Sequence, residues 1–160
     1  MSEEEKVRQV LARYVRAVDH RNGKAMAELF TPDGKVEQFY NNTGRPEPLG
    51  ELVGPEAIAA AVEHMMQPHP ARGWSHHTTH DPIIETDGDR ASIDAQFVVF
   101  SVVGAEAPQG GWPAGAVGAQ GTITPIESGY YRPTLKRSDG RWLIETQRIY
   151  LDLPMVFPAG

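Results

Sequence analysis

An α+β fold is predicted by three observations. Helical periodicity is confined to residues 2–68, long β-rich runs occupy the remainder of the chain, and turn signals divide those runs into hairpins. With the helices grouped first, they pack on one face of the sheet. A strongly bent sheet of this kind can curl around them and leave a concave pocket.

The first helix is the clearest element. Ser2 and Glu5 fit the S-x-x-E capping box, and Glu3 and Glu4 favour the positive end of the helix dipole. Val7, Val10, Leu11, Tyr14, Val15 and Val18 recur at helical spacing, and Asn22-Gly23 ends the element. A short second helix follows from about Lys24 to Phe30, and Thr31-Pro32-Asp33-Gly34 reads as a turn. Lys35 to Tyr40 alternates as a strand with Val36, Gln38 and Tyr40 on one side. Asn41 to Gly50, carrying Gly44, Pro46 and Pro48, reads as loop. The third helix starts at Gly54-Pro55-Glu56, with apolar face Ile58, Val62, Met65 and Met66, and Pro68 closes it.

Four strands are expected after that. Trp74 to Glu85 pairs through Asp87-Gly88-Asp89 with Ala91 to Val103, and Glu127 to Arg137 pairs through Ser138-Asp139-Gly140 with Arg141 to Leu151. Between the pairs lies 104–121, with six glycines and two prolines, unsuited to a central strand. It reads as a lid or a disordered insertion anchored by Trp112. A tail is expected at 152–160. One domain is expected across 1–160, since no internal repeat or composition shift divides the chain.

Composition narrows the function. Apolar residues make up 40% of the chain, enough for one core, and the net charge is −6 with no clustered Lys and Arg. Nucleic acid and anionic membrane surfaces are therefore not expected partners. The absence of cysteine excludes disulfides, thiolate metal sites and a cysteine nucleophile. The acidic start lacks an apolar signal segment, and a cytoplasmic location is the simplest expectation.

Asp19 sits at the edge of the apolar stripe of the first helix. A solvated Asp in the polar run with His20, Arg21 and Asn22 and a half-buried carboxylate are equally open readings. His76, His77 and His80 fall within one strand, but alternation turns His76 and His80 away from His77, so no metal site is expected. A single histidine held by a carboxylate is a good general base, because the carboxylate selects one tautomer and leaves the other ring nitrogen free. No phosphate-binding glycine motif and no serine nucleophile elbow is present.

The run Val10-Leu11-Ala12-Arg13-Tyr14-Val15-Arg16-Ala17-Val18-Asp19, then Leu29-Phe30-Thr31-Pro32-Asp33-Gly34, resembles the opening of SnoaL-like proteins. These belong to the nuclear transport factor 2-like superfamily. Gly54-Pro55-Glu56-Ala57-Ile58, His77 followed by Asp81-Pro82, Asp87-Gly88-Asp89-Arg90-Ala91, and Tyr130 or Tyr131 with Asp139-Gly140-Arg141-Trp142 extend the resemblance over residues 3–152. It implies a cone in which a curved antiparallel sheet wraps three helices around a deep pocket. It also implies that Asp19 and His77 form an acid/base dyad like that of scytalone dehydratase and the dehydrochlorinases. Nothing in spacing alone pairs the two residues. The later-strand histidine of dehydratase-like members has no evident counterpart near Phe97–Val102, and Tyr14 stands where the dehydrochlorinase type has lysine.

The expected function is a cofactor-independent lyase, isomerase or cyclase acting on a small hydrophobic, ring-containing molecule. Asp19 and His77 would be catalytic, Tyr14 and Tyr40 would offer hydroxyls or serve as core tyrosines, and Val36 and Trp74 would supply apolar wall. The competing expectation is a non-catalytic binding or scaffolding module of the same fold. By the resemblance, a homodimer or homotrimer is expected.

Overall fold

The computed structural model describes residues 1–157; the last three residues of the expected 152–160 tail lie outside the described residues. Helix α1 spans Glu3–Asp19, α2 spans Gly23–Ala27 and α3 spans Pro55–His64. The strands are β1 (Phe30–Asn42), β2 (Arg45–Val53), β3 (Gly73–Asp87), β4 (Arg90–Gly104), β5 (Gly121–Tyr131), β6 (Thr134–Ser138) and β7 (Arg141–Leu151).

The capping box of α1 forms as its sequence demands. The Glu5 amide donates to Ser2 Oγ at 3.1 Å while Glu5 Oε2 accepts from the Ser2 amide at 2.7 Å. All six residues of its apolar stripe are buried, and so is Asp19, which removes the solvated reading of that carboxylate. The interior they cover is the concave side of a sheet with strand order β2-β1-β7-β5-β4-β3, β6 bridging β4 and β7.

Several expectations need correction. The sheet is mixed, because β1 runs parallel to β7 while the other pairings are antiparallel. The expected loop at 41–50 is largely β2, entered through Thr43 and Gly44 at φ 47° and 80°, a left-handed pair of the kind that closes a tight hairpin. Pro46 and Pro48 are tolerated because β2 is an edge strand, where missing N–H groups interrupt no ladder. The second helix stops at Ala27 instead of Phe30, and the expected turn at 31–34 is an irregular stretch of β1, with the β1–β7 register shifting between Phe30 and Lys35. The strand expected over 127–137 is two strands, broken at Arg132-Pro133. Met65 is exposed, so the buried face of α3 reduces to Ile58 and Val62 with Met66 packed partly against the core. Trp112 is 45% exposed and does not anchor the glycine-rich segment.

Strands β5 and β7 approach closely at Gly129. A Cβ there would collide with the Tyr150 carbonyl of β7 and press on the Phe97 ring. Only glycine permits this close approach of two backbones. No helix among the described residues is long and apolar enough to cross a membrane.

Candidate active site

Helix α1 ends at Asp19, directly beneath the first residues of β3. Alternation along β3 turns Ser75 and His77 toward α1 and leaves His76 and His80 exposed. Asp19 Oδ1 lies 2.5 Å from His77 Nδ1, and it accepts the Ser75 hydroxyl at 3.1 Å. The His77 backbone N–H donates to both carboxylate oxygens at 3.1 Å. Both side chains retain 9% of their surface, so the pair is sheltered without being sealed.

Burial alone would raise the Asp19 carboxyl. The hydrogen bond and charge of His77, its backbone N–H and the Ser75 hydroxyl outweigh that and hold it below the ordinary carboxylate value. An ionised Asp19 accepts from Nδ1–H, which leaves His77 Nε2 as the ring's basic nitrogen.

Further polar groups share this interior. Across the sheet, His77 pairs with Val99 and Val99 with Glu127, so one row of the inner face carries the imidazole and a second carboxyl on either side of a valine. Burial pushes Glu127 above its ordinary value, and the charge of His77 acts in the opposite direction. Tyr14 is pushed up to about 12, chiefly by burial, with the Gln147 amide opposing and the Glu127 charge adding to the rise. Tyr131, edge-on to Tyr14 at 5.5 Å, is pushed well above its ordinary value for the same first reason. Both therefore remain neutral hydroxyls at ordinary pH. Gln147 is fully buried opposite Val36 in the β1–β7 register, and neither amide atom has a hydrogen-bond partner of good geometry. Such an amide is costly unless something polar reaches it.

The SnoaL-like domain model matches residues 1–148, on the elements that build this interior. The chain belongs to the SnoaL-like domain family. Among solved structures, this SnoaL-like protein is similar to Aln2 from a Streptomyces species, with 21% identity and a TM-score of 0.66 over 95% of this chain and 93% of that one. A Catenulispora acidiphila protein in complex with S-DNPA is 23% identical with a TM-score of 0.62, covering 92% of both chains. A Novosphingobium aromaticivorans protein described as the beta subunit of a putative aromatic-ring-hydroxylating dioxygenase is 16% identical, with a TM-score of 0.68 over 96% and 91%. Identities this low establish the shared fold alone. No curated protein matches the sequence.

Of the residues singled out from the sequence of this SnoaL-like protein, the structure brings Asp19 and His77 into contact. Tyr14 is a core tyrosine whose hydroxyl lies beside Gln147, and Val36 is buried across from that amide. Tyr40 is half-buried on β1, in register with Leu151. Trp74 immediately precedes Ser75, and its ring stacks on His69 at 4.6 Å and meets His20 edge-on at 5.0 Å. It therefore closes over the end of α1 rather than walling His77. His69 also reaches the Asp19 backbone carbonyl at 2.7 Å through Nε2.

Ser75, Glu127, Tyr131 and Gln147 escaped sequence reasoning. The signal for Gln147 was present, since it is a polar residue in phase with the inward Ile149 and Leu151 of β7; Ser75 had none, because its neighbours His77 and Thr79 on the same face of β3 are polar too. Glu127 needed the β4–β5 register. The pocket expected at the dyad is not among the two concavities described for the surface. One, of about 460 Å³, lies between α1 and α2; the other, of about 530 Å³, lies against Ile83, Asp94, Arg132 and Tyr150. Large side chains explain this, because Phe97 stacked on Tyr131 at 4.1 Å and Tyr14 against Tyr131 fill the inner face. Among the described residues no group of three His, Asp or Glu side chains converges as a metal site.

Proposed function

We propose that this SnoaL-like protein is a cofactor-independent lyase, isomerase or cyclase acting on a small hydrophobic, ring-containing molecule. His77 Nε2 removes a proton from the substrate, and Asp19 orients the ring and balances the imidazolium that forms. The observation that carries this reading is the 2.5 Å contact between Asp19 and His77 Nδ1, made by two groups that are each mostly withdrawn from water. The Tyr14 and Tyr131 hydroxyls, kept neutral by burial, supply donors for the negative charge that develops on the substrate as the proton leaves. The proposal includes a homodimer or homotrimer in the cytoplasm, with 104–121 closing over the site mouth.

A second reading, a non-catalytic binding or scaffolding module, draws support from the two concavities, neither of which is lined by the dyad. The description of the Novosphingobium neighbour as a beta subunit points the same way.

Opening of 5-nitrobenzisoxazole, a generic proton-abstraction probe, separates the two readings. The wild-type chain accelerates it, and His77→Ala and Asp19→Asn each lower the rate about 100-fold or more, with circular dichroism unchanged. A wild-type rate no greater than that of His77→Ala overturns the catalytic reading.

A further inference from the structure

The concavity between α1 and α2 lies outside the dyad's interior and is cationic. Arg13 and Arg16 reach it from one side of α1, His20 from the end of that helix, and Arg141 from the start of β7, more than a hundred residues away in sequence. Folding thus assembles a cluster that no single segment contains, on a chain whose net charge is −6.

Among the described residues, only two arginines outside this cluster, Arg21 and Arg45, lack a carboxylate partner. Arg8, Arg72, Arg90, Arg132, Arg137 and Arg148 are each held by a carboxylate. Among the described residues, none of the three guanidiniums at this concavity is. Arg13 reaches only Gln9 Oε1, at 3.5 Å, and Arg141 donates only to the Glu28 carbonyl, at 3.4 Å. The one carboxylate on the rim, Glu28, is itself engaged by Lys24 at 3.0 Å. The floor is apolar, made by Ala17 and Leu29, both nearly fully buried, with half-buried Ala25 beside them. A volume of about 460 Å³ falls in the range of small-molecule sites.

Guanidinium groups bind carboxylate and phosphate oxygens in pairs of parallel hydrogen bonds, and an apolar floor accepts the body of the molecule that carries the anion. We infer that this concavity is a second ligand site, which takes a small organic anion, a carboxylate or a phosphate monoester with a compact apolar body. The inference does not depend on the dyad's chemistry, because no residue of the dyad lines the concavity.

The test uses the full chain labelled with ¹⁵N and titrated separately with phenyl phosphate and benzoate, at constant ionic strength against a chloride control. Saturable shifts of the Ala17, Ala25 and Leu29 amides are expected. The Arg16→Gln/Arg141→Gln double variant, altered at two exposed side chains, should weaken binding at least about tenfold while leaving distant amides in place. Saturation by phenyl phosphate alone assigns a phosphate ester, by benzoate alone a carboxylate, and by both the shared anion chemistry. Shifts that match chloride, binding untouched in the double variant, or saturable shifts centred on Ser75 and His77 overturn the inference. Failure here leaves the nitrobenzisoxazole result unaffected.

Discussion

Asp19→Asn is the most informative single change, because it keeps the shape of the side chain and removes its charge. In the native structure three donors converge on the carboxylate: the Ser75 hydroxyl, the His77 backbone N–H and His77 Nδ1–H. Hydrogen bonds to a charged acceptor are worth roughly 1 kcal/mol more than neutral ones, so three of them lose about 3 kcal/mol together. The amide also turns an N–H₂ group toward the His77 N–H, where Oδ2 had accepted. Relief from burying a charge returns part of this. The lowered value of Asp19 fixes the sign, since its partners outweigh its burial. A net loss of about 2 kcal/mol is expected, or roughly 6 °C in midpoint for a chain of this size.

The pH dependence gives a second constraint. A carboxyl whose folded value lies below its unfolded one stabilises the protein above the unfolded value, about 3.9, and that contribution fades as pH falls through the folded value. Urea unfolding followed by tryptophan fluorescence should therefore show wild type ahead of the variant at pH 7 and the gap closing as pH falls below about 3.9. The ¹⁵N shifts of the His77 ring should report the Nδ1–H tautomer in wild type and lose that preference in the variant. An Asp19→Asn protein as stable as wild type at neutral pH, or a gap unchanged in acid, refutes the reasoning.

Glu127 has the opposite sign. Its folded value is raised, so its favourable contribution is complete below its unfolded value and disappears as pH rises through the folded one. Glu127→Gln should therefore raise the thermal midpoint at pH 7 and leave it unchanged near pH 4, as scanning calorimetry can check. Gly129→Ala forces β5 away from the Tyr150 carbonyl and should cost about 3 kcal/mol in urea unfolding. Ser2→Ala removes the capping box of α1 and should cost about 1 kcal/mol, read as a fall in thermal midpoint.

Local chemistry was legible in the sequence and long-range register was not. The start of α1 follows from Ser2 and Glu5 because both signals lie within its first turn, but its end does not follow from Asn22-Gly23: Arg21 takes the left-handed conformation at φ 52°, while Asn22 caps α2 and Gly23 opens it. Strand β2 was hidden because Pro46, Pro48 and Gly50 argue against a central strand, and only the sheet order reveals that this strand has one neighbour. Thr31–Gly34 has the composition of a turn, yet the adjacent ladder to β7 draws it into a strand. The meeting of Asp19 with His77 joins residues 58 apart, which no periodicity can connect; the family resemblance alone suggested it. Glu127 was invisible for the same reason, since its closeness to His77 depends on two successive strand pairings.

The place of β7 has a consequence for how the protein comes into being. This last strand is interior to the sheet, parallel to β1 on one side and antiparallel to β5 on the other. During synthesis the β1–β2 hairpin has nothing to bind along its inner edge until residues 141–151 have left the ribosome. Joining chain segments so far apart is entropically costly and slow. Until then a nascent chain exposes an open strand edge, and its hazard is association with other chains at that edge.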